Sequence, residues 1–153
     1  MTWTIVMPQR QHGASSMYSR YYDQPVIVIN SRFEMLLTPA AHEMLGKAGQ
    51  VEVLHDPSMH SFGLRVAGKN DPSFAIQGGT TAGKNGERVP VTKGMVRIST
   101  KACRDYHWGK EDHTTFYRAQ MDANGILMAD YHRPIETIYT PIKRRNRKNG
   151  SKP

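Results

Sequence analysis

Apolar positions come in short runs along this chain, and their spacing is mostly that of strands. Val26–Ile29 is an unbroken β-branched run after Pro25, which predicts a buried strand. Asn30-Ser31 interrupts it, and extended structure resumes over 33–37. Thr38-Pro39 then predicts a helix start. The threonine hydroxyl can cap the first turn, and proline fits the first helical position, where no amide hydrogen is needed. Ala41, Met44 and Leu45 fall on one face of that helix, and Gly46 supplies the left-handed residue that ends it. Residues 50–55 alternate, with Val51, Val53 and His55 on one side. Asp56-Pro57 marks a turn, and 61–67 returns with Phe62, Leu64 and Val66 inward.

Beyond this hairpin the pattern predicts short strands at 74–77, 89–91 and 95–98, with a glycine-rich loop at 78–88. Ser99 is expected to cap a second helix over 100–108 that stops at Gly109. Strands at 114–121 and 126–131 are expected to form a hairpin across Asp122-Ala123-Asn124-Gly125. Seven or eight short strands and two short helices make an α+β chain, mainly β, with small antiparallel sheets and extended termini. The expected division is an extended N-terminal arm at 1–25 that docks near Val26, a compact β-rich domain at 26–133, and a basic C-terminal tail at 134–153. The order of cap, helix, glycine and hairpin at 38–67 is loosely echoed at 99–131, as two similar halves would show.

Composition narrows the function classes. With 153 residues and 38% hydrophobic content the chain can bury a core. No run approaches the ~20 apolar residues that span a bilayer, and no basic start precedes the short WTIVM run as a secretory signal requires. Cys103 is the single cysteine, so no internal disulfide forms, and the expected compartment is the reducing cytoplasm. The net charge of +8 is concentrated at one end. Six of the 21 basic residues lie in 143–153, KRRNRKNGSKP, which has no acid, leaving 15 basic against 13 acidic elsewhere. A cationic segment with nothing to bury suits a polyphosphate, where neutralised phosphates release counterions. Solubility or protein contact are the plainer uses. The cluster Tyr18, Arg20, Tyr21 and Tyr22 has two readings as well: a base-stacking patch, or packing of the arm onto its own domain.

No constellation for catalysis emerges. Residues 78–85, GGTTAGKN, come close to the phosphate-binding loop G-x-x-x-x-G-K-[ST]. However, Asn85 stands where a hydroxyl should hold magnesium, and Gly86 and Pro90 exclude the helix that loop must open. Lys84 and Arg88 there remain candidates for phosphate contact. His55 and His60 flank one turn, and His107 and His113 another, without the tight ligand spacing zinc requires. Cys103 is placed mid-helix, outside an activating environment, and Glu111-Asp112 point apart. The expectation is a protein that is not an enzyme and has no cofactor or metal.

Leu37-Thr38-Pro39, the helix closing on Met44-Leu45-Gly46, and the hairpin from Val51-Glu52-Val53 to Leu64-Arg65-Val66 together resemble the AbrB/SpoVT/MazE swapped-hairpin family. The resemblance covers 26–67, about a quarter of the chain, and implies an intertwined homodimer that binds DNA. Glu43 replaces the basic residue that the family carries after its helix proline, which leaves Arg32 and Lys47 as phosphate contacts in this segment. A wider likeness over 30–131, to small uncharacterised bacterial and phage proteins, implies one compact unit. The expected function is a non-catalytic, dimeric nucleic-acid-binding protein of regulatory, phage or mobile-element type, with DNA ahead of RNA and no membrane partner. Its predicted contacts are Arg32, Lys47, Lys84, Arg88, Lys143, Arg144, Arg145, Arg147 and Lys148. The alternative is an interaction subunit or inhibitor in a protein complex, whose termini wrap a partner.

Overall fold

A computed structural model describes residues 2, 14–78, 80–82, 84–90 and 94–142. Among them are helix α1 (Ala14–Ser19), strands β1 (Val26–Ile29) and β2 (Met35–Leu37), and helix α2 (Pro39–Met44). β3 (Gln50–Asp56) and β4 (Ser61–Val66) follow, joined by a single 3-10 turn. Next come β5 (Phe74–Gly78), β6 (Thr80–Ala82), β7 (Arg88–Pro90), β8 (Val96–Ile98) and helix α3 (Ala102–Asp105). β9 (His113–Arg118), β10 (Gln120–Met121), β11 (Leu127–Asp130) and β12 (Glu136–Tyr139) complete the described chain.

Ten strands form one antiparallel sheet in the order β10-β11-β4-β3-β5-β8-β2-β1-β9-β12. The small sheets expected from the sequence are thus joined into one large one. β9 and β10 are separated by Ala119 alone yet lie towards opposite ends of that order. A single bent strand therefore closes the sheet into an eight-membered ring, and β12 is added outside on β9. An eight-strand ring has an interior just wide enough to be filled by side chains. The filling here is Ile27, Ile29, Met35, Leu37, Val51, Phe62, Leu64, Ile98, Tyr117 and Leu127. β1 is buried on both faces, because Val26 and Val28 point outward into a second cluster with Phe116, covered by Met17, Tyr18 and Tyr21.

The register gives the ring two distinct ends. α2 closes one, with Ala41 and Leu45 dropped into the core. Thr38 caps it as expected: its buried Oγ accepts from the Ala41 N–H (3.2 Å) and the Val26 N–H (3.1 Å), and donates to the Gln24 carbonyl (2.6 Å). Gly46 has φ +66°, the left-handed exit. Four segments meet at the other end: the β1–β2 turn, the β3–β4 turn, residues 99–112 around α3, and the chain after β11.

Several local expectations are corrected. Met44 is exposed, because a helix this short lays only Ala41 and Leu45 against the ring. Val66 is exposed as the last residue of β4, at the rim. Ser99 does not cap α3. The Ala102 N–H is taken by Thr100 Oγ (3.1 Å), and the helix lasts one turn, ending at the left-handed His107 rather than Gly109. Gly109 serves packing instead, since a Cβ there would collide with Ile29 Cγ2. The expected 114–131 hairpin survives only as the two-residue pairing of β10 with β11. β9 pairs with β1 and β12, so the second half does not repeat the first. Within the N-terminal arm 14–19 is helical rather than extended, and β12 takes 136–139 into the sheet. The glycine-rich loop contains the β6–β7 hairpin.

Candidate nucleic-acid interface

The α3 end combines open cations with half-exposed rings. Phe33 ends the β1–β2 turn with φ 61°, an outlier for a bulky residue, and is held between Gly109 and Arg104. The Arg104 guanidinium lies 4.4 Å from the ring centroid. Arg32, Phe33, Phe74, Ser99, Thr100 and Lys101, with Glu34, line an open groove of about 400 Å³. Glu34 is engaged by Arg97 (3.1 Å) and by the Asn30 amide (2.8 Å). Among the described residues, no carboxylate forms an ion pair with Arg32, Lys101 or Arg104.

On the far side of α3 the chain carries a run of rings from core to surface. Phe62 stacks on Trp108 (4.7 Å, 21°), and Trp108 on Tyr106 (5.5 Å, 24°). His55 lies 4.3 Å from Tyr106 and 5.8 Å from Tyr131, and His60 stacks on His132 (4.1 Å, 14°). Trp108 is buried and its carbonyl accepts from the Tyr117 hydroxyl, whereas Tyr106 is 50% exposed. The Trp108 indole N–H has no acceptor among the described residues.

The predicted contacts are dispersed. Arg32 is exposed at the α3 end. Lys47 is exposed just beyond α2, at the opposite end, with φ 55°. Lys84 is exposed in the β6–β7 turn, and Arg88 lies in β7, with its side chain outside the described part. That hairpin extends from β5 and β8 on the α2 side. Lys143, Arg144, Arg145, Arg147 and Lys148 lie outside the described residues. The point from which they depart is described, however. Ile142 shares a groove of about 300 Å³ with Arg32, Tyr18 and Thr140. The Thr140 N–H donates to the Asp112 carbonyl (2.8 Å), and Thr140 and Thr114 hydroxyls are 2.7 Å apart. Ile142, the last described residue, thus lies in one groove with Arg32.

Of the two readings of the tyrosine cluster, packing onto the protein's own body is the one observed. Tyr18 and Tyr21 lie 6.0 and 5.1 Å from Phe116, the Tyr21 hydroxyl donates to Glu136, and Arg20 pairs with Glu136 at 2.6 Å. Burial raises the pKa of both tyrosines. At the P-loop-like stretch, Thr80–Ala82 pairs with Arg88–Pro90, so no helix opens at Lys84. Burial pushes the Cys103 thiol up to about 12, which keeps it protonated at neutral pH. No three His, Cys, Asp or Glu side chains among the described residues are grouped to hold a metal. No described helix is long and apolar enough to cross a membrane.

No family model matches the chain, and no curated protein or solved structure matches it either. Sequence reading missed Lys101, Arg104 and Tyr106 as surface groups. Their one signal was the sequence KACRDYHW itself, where two cations are followed by three ring side chains within eight residues.

Proposed function

We propose that this is a non-catalytic nucleic-acid-binding protein that holds the phosphate backbone between its basic C-terminal segment and the α3 end of the ring. The observation that carries this reading is the position of Ile142, from which the six-cation segment departs, in one groove with Arg32. Lys101 and Arg104, likewise outside any ion pair with a described carboxylate, extend the cationic surface. Each phosphate neutralised adds to the salt dependence of binding. In this reading the AbrB-like segment 26–67 is a scaffold and, in a homodimer, part of the subunit contact, because α2 carries no Lys or Arg and exposes Glu43. The test is deletion of 143–153, with binding measured at ~50 and ~200 mM salt. Affinity should fall and the salt slope flatten. An unchanged slope removes the segment from the mechanism.

A second reading, a subunit that pairs with another protein, is supported by β12. It bonds to β9 along one edge only among the described strands, and Tyr139 on it is 67% exposed. An open strand edge is a template for pairing with another chain. Recovery of a defined complex, lost when proline replaces Thr137 while the monomer stays folded, is the outcome that would favour it.

A further inference from the structure

We infer that the α3 end is a site for single-stranded nucleic acid, with a base stacked on Tyr106 and the flanking phosphates held by Arg104, Lys101 and Arg32. This rests on the nucleic-acid reading and deepens it by naming the strand class.

Three observations carry it. First, Tyr106 is 50% exposed although its ring is backed by the rings of His55 and Trp108 at 4.3 and 5.5 Å. A half-open ring held by rigid neighbours offers a stacking surface at small entropic cost. Second, the cations sit one helical turn away. Lys101 precedes α3, Arg104 is on it, and Tyr106 follows it directly, so two cations and the ring fall within six residues of chain. Arg104 is itself fixed on Phe33 rather than free to sweep. Third, three of the acids at this end are occupied by local bonds. Glu34 is held by Arg97 and Asn30. Asp56 accepts from the Ser58 hydroxyl and from the N–H groups of Ser58 and Met59. Asp130 accepts the His132 N–H and lies 3.7 Å from Arg133. Asp105, on α3 itself, is the one acid within that turn.

A paired base hides its face within the duplex stack, whereas every unpaired base presents a π-face to an aromatic side chain. An exposed ring with cations across α3 from it therefore selects for unpaired bases. The same chemistry fits DNA and RNA, and the 2′-hydroxyl is what would separate them.

The test is fluorescence anisotropy of the full chain with labelled ~20-nucleotide single-stranded DNA, single-stranded RNA and the matching duplex. The wild type should bind a single strand at least ~10-fold tighter than duplex, Tyr106→Ala should lose ~10-fold on the single strand, and Tyr106→Phe should retain it. A Trp3→Phe background leaves Trp108 as the sole tryptophan, and single-strand binding should change its emission through Tyr106. Equal or tighter duplex binding overturns the inference while leaving the nucleic-acid reading in place, and so does Tyr106→Ala binding like wild type with its circular dichroism unchanged. Absence of binding to all three ligands at ~50 mM salt overturns both.

Discussion

The two ends of the ring are closed in opposite ways. At the α2 end a buried threonine makes three hydrogen bonds, a proline opens the helix, a glycine exits it, and two apolar side chains fill the opening. Apart from the strands they join, nearly all of this comes from one stretch of chain. At the α3 end the helix is a single turn whose N-cap residue, Lys101, makes no side-chain cap. Closure depends on Trp108 meeting Phe62 of β4 and His55 of β3, and on Gly109 meeting Ile29 of β1. A locally encoded end can be tight and chemically quiet. An end assembled from four separate segments gathers exposed cations and half-buried rings that no single segment would show.

Trp108→Ala tests the difference most severely. Removing a fully buried indole that holds α3 to the ring should cost ~3–5 kcal/mol in urea unfolding and, if the protein still folds, should also weaken nucleic-acid binding. Leu45→Ala at the other end should cost ~2–5 kcal/mol with binding intact once the variant is folded. Equal effects of the two on binding would erase the functional contrast between the ends.

Replacing Arg32, Lys101 and Arg104 together by alanine should leave unfolding within ~0.5 kcal/mol of wild type. The magnitude of the salt slope should fall by ~2. The single change Lys47→Ala, at the α2 end, should move the slope by under ~0.5. A larger response to Lys47 would transfer the binding surface to the wrong end for this proposal.

Thr38→Ala should destabilise by ~1–2 kcal/mol, since it removes the cap and leaves buried N–H groups without their acceptor. Thermal melts should show this with nucleic-acid affinity unchanged.

The mildest probe is alkaline titration. The folded Cys103 thiol keeps its proton well above the usual thiol range, up to about 12, because burial disfavours the thiolate. The unfolded chain ionises first, so the cysteine's contribution to stability is complete below about pH 9 and is lost as pH rises towards 12. Tyr117, also raised by burial, acts in the same direction. The fall in melting temperature over that range should be shallower in Cys103→Ala, and identical curves would show that the folded thiol ionises as readily as the unfolded one.

How much was legible in the sequence follows the same division. The Thr38-Pro39 start, the Gly46 exit, β1, and the β3–β4 hairpin with its Asp56-Pro57 turn could be read directly, because each depends on residues within a few positions of one another. Met44 and Val66 were placed on the correct elements but on the wrong side of the surface, since how far a helix or strand overlaps its neighbours is not a local property. The candidate site was read in part. The charge of 143–153 stood out in composition, and Arg32 was named through the resemblance of 26–67. Lys101, Arg104 and Tyr106 did not stand out, because a cation and a ring a few residues apart are ordinary until the fold brings them to one exposed end.

Period, caps and turn residues alone settled that this chain makes short antiparallel strands and one well-capped helix, because backbone angles and neighbouring side chains suffice for that. Ring closure needed the fold, since the bend at Ala119 lets one strand pair with β1 and β12 before it and β11 after it. The same closure brings residues 32, 55, 104, 106 and 142 to one end. Their meeting depends on the registers of several strand pairs at once, and no local pattern encodes such a sum.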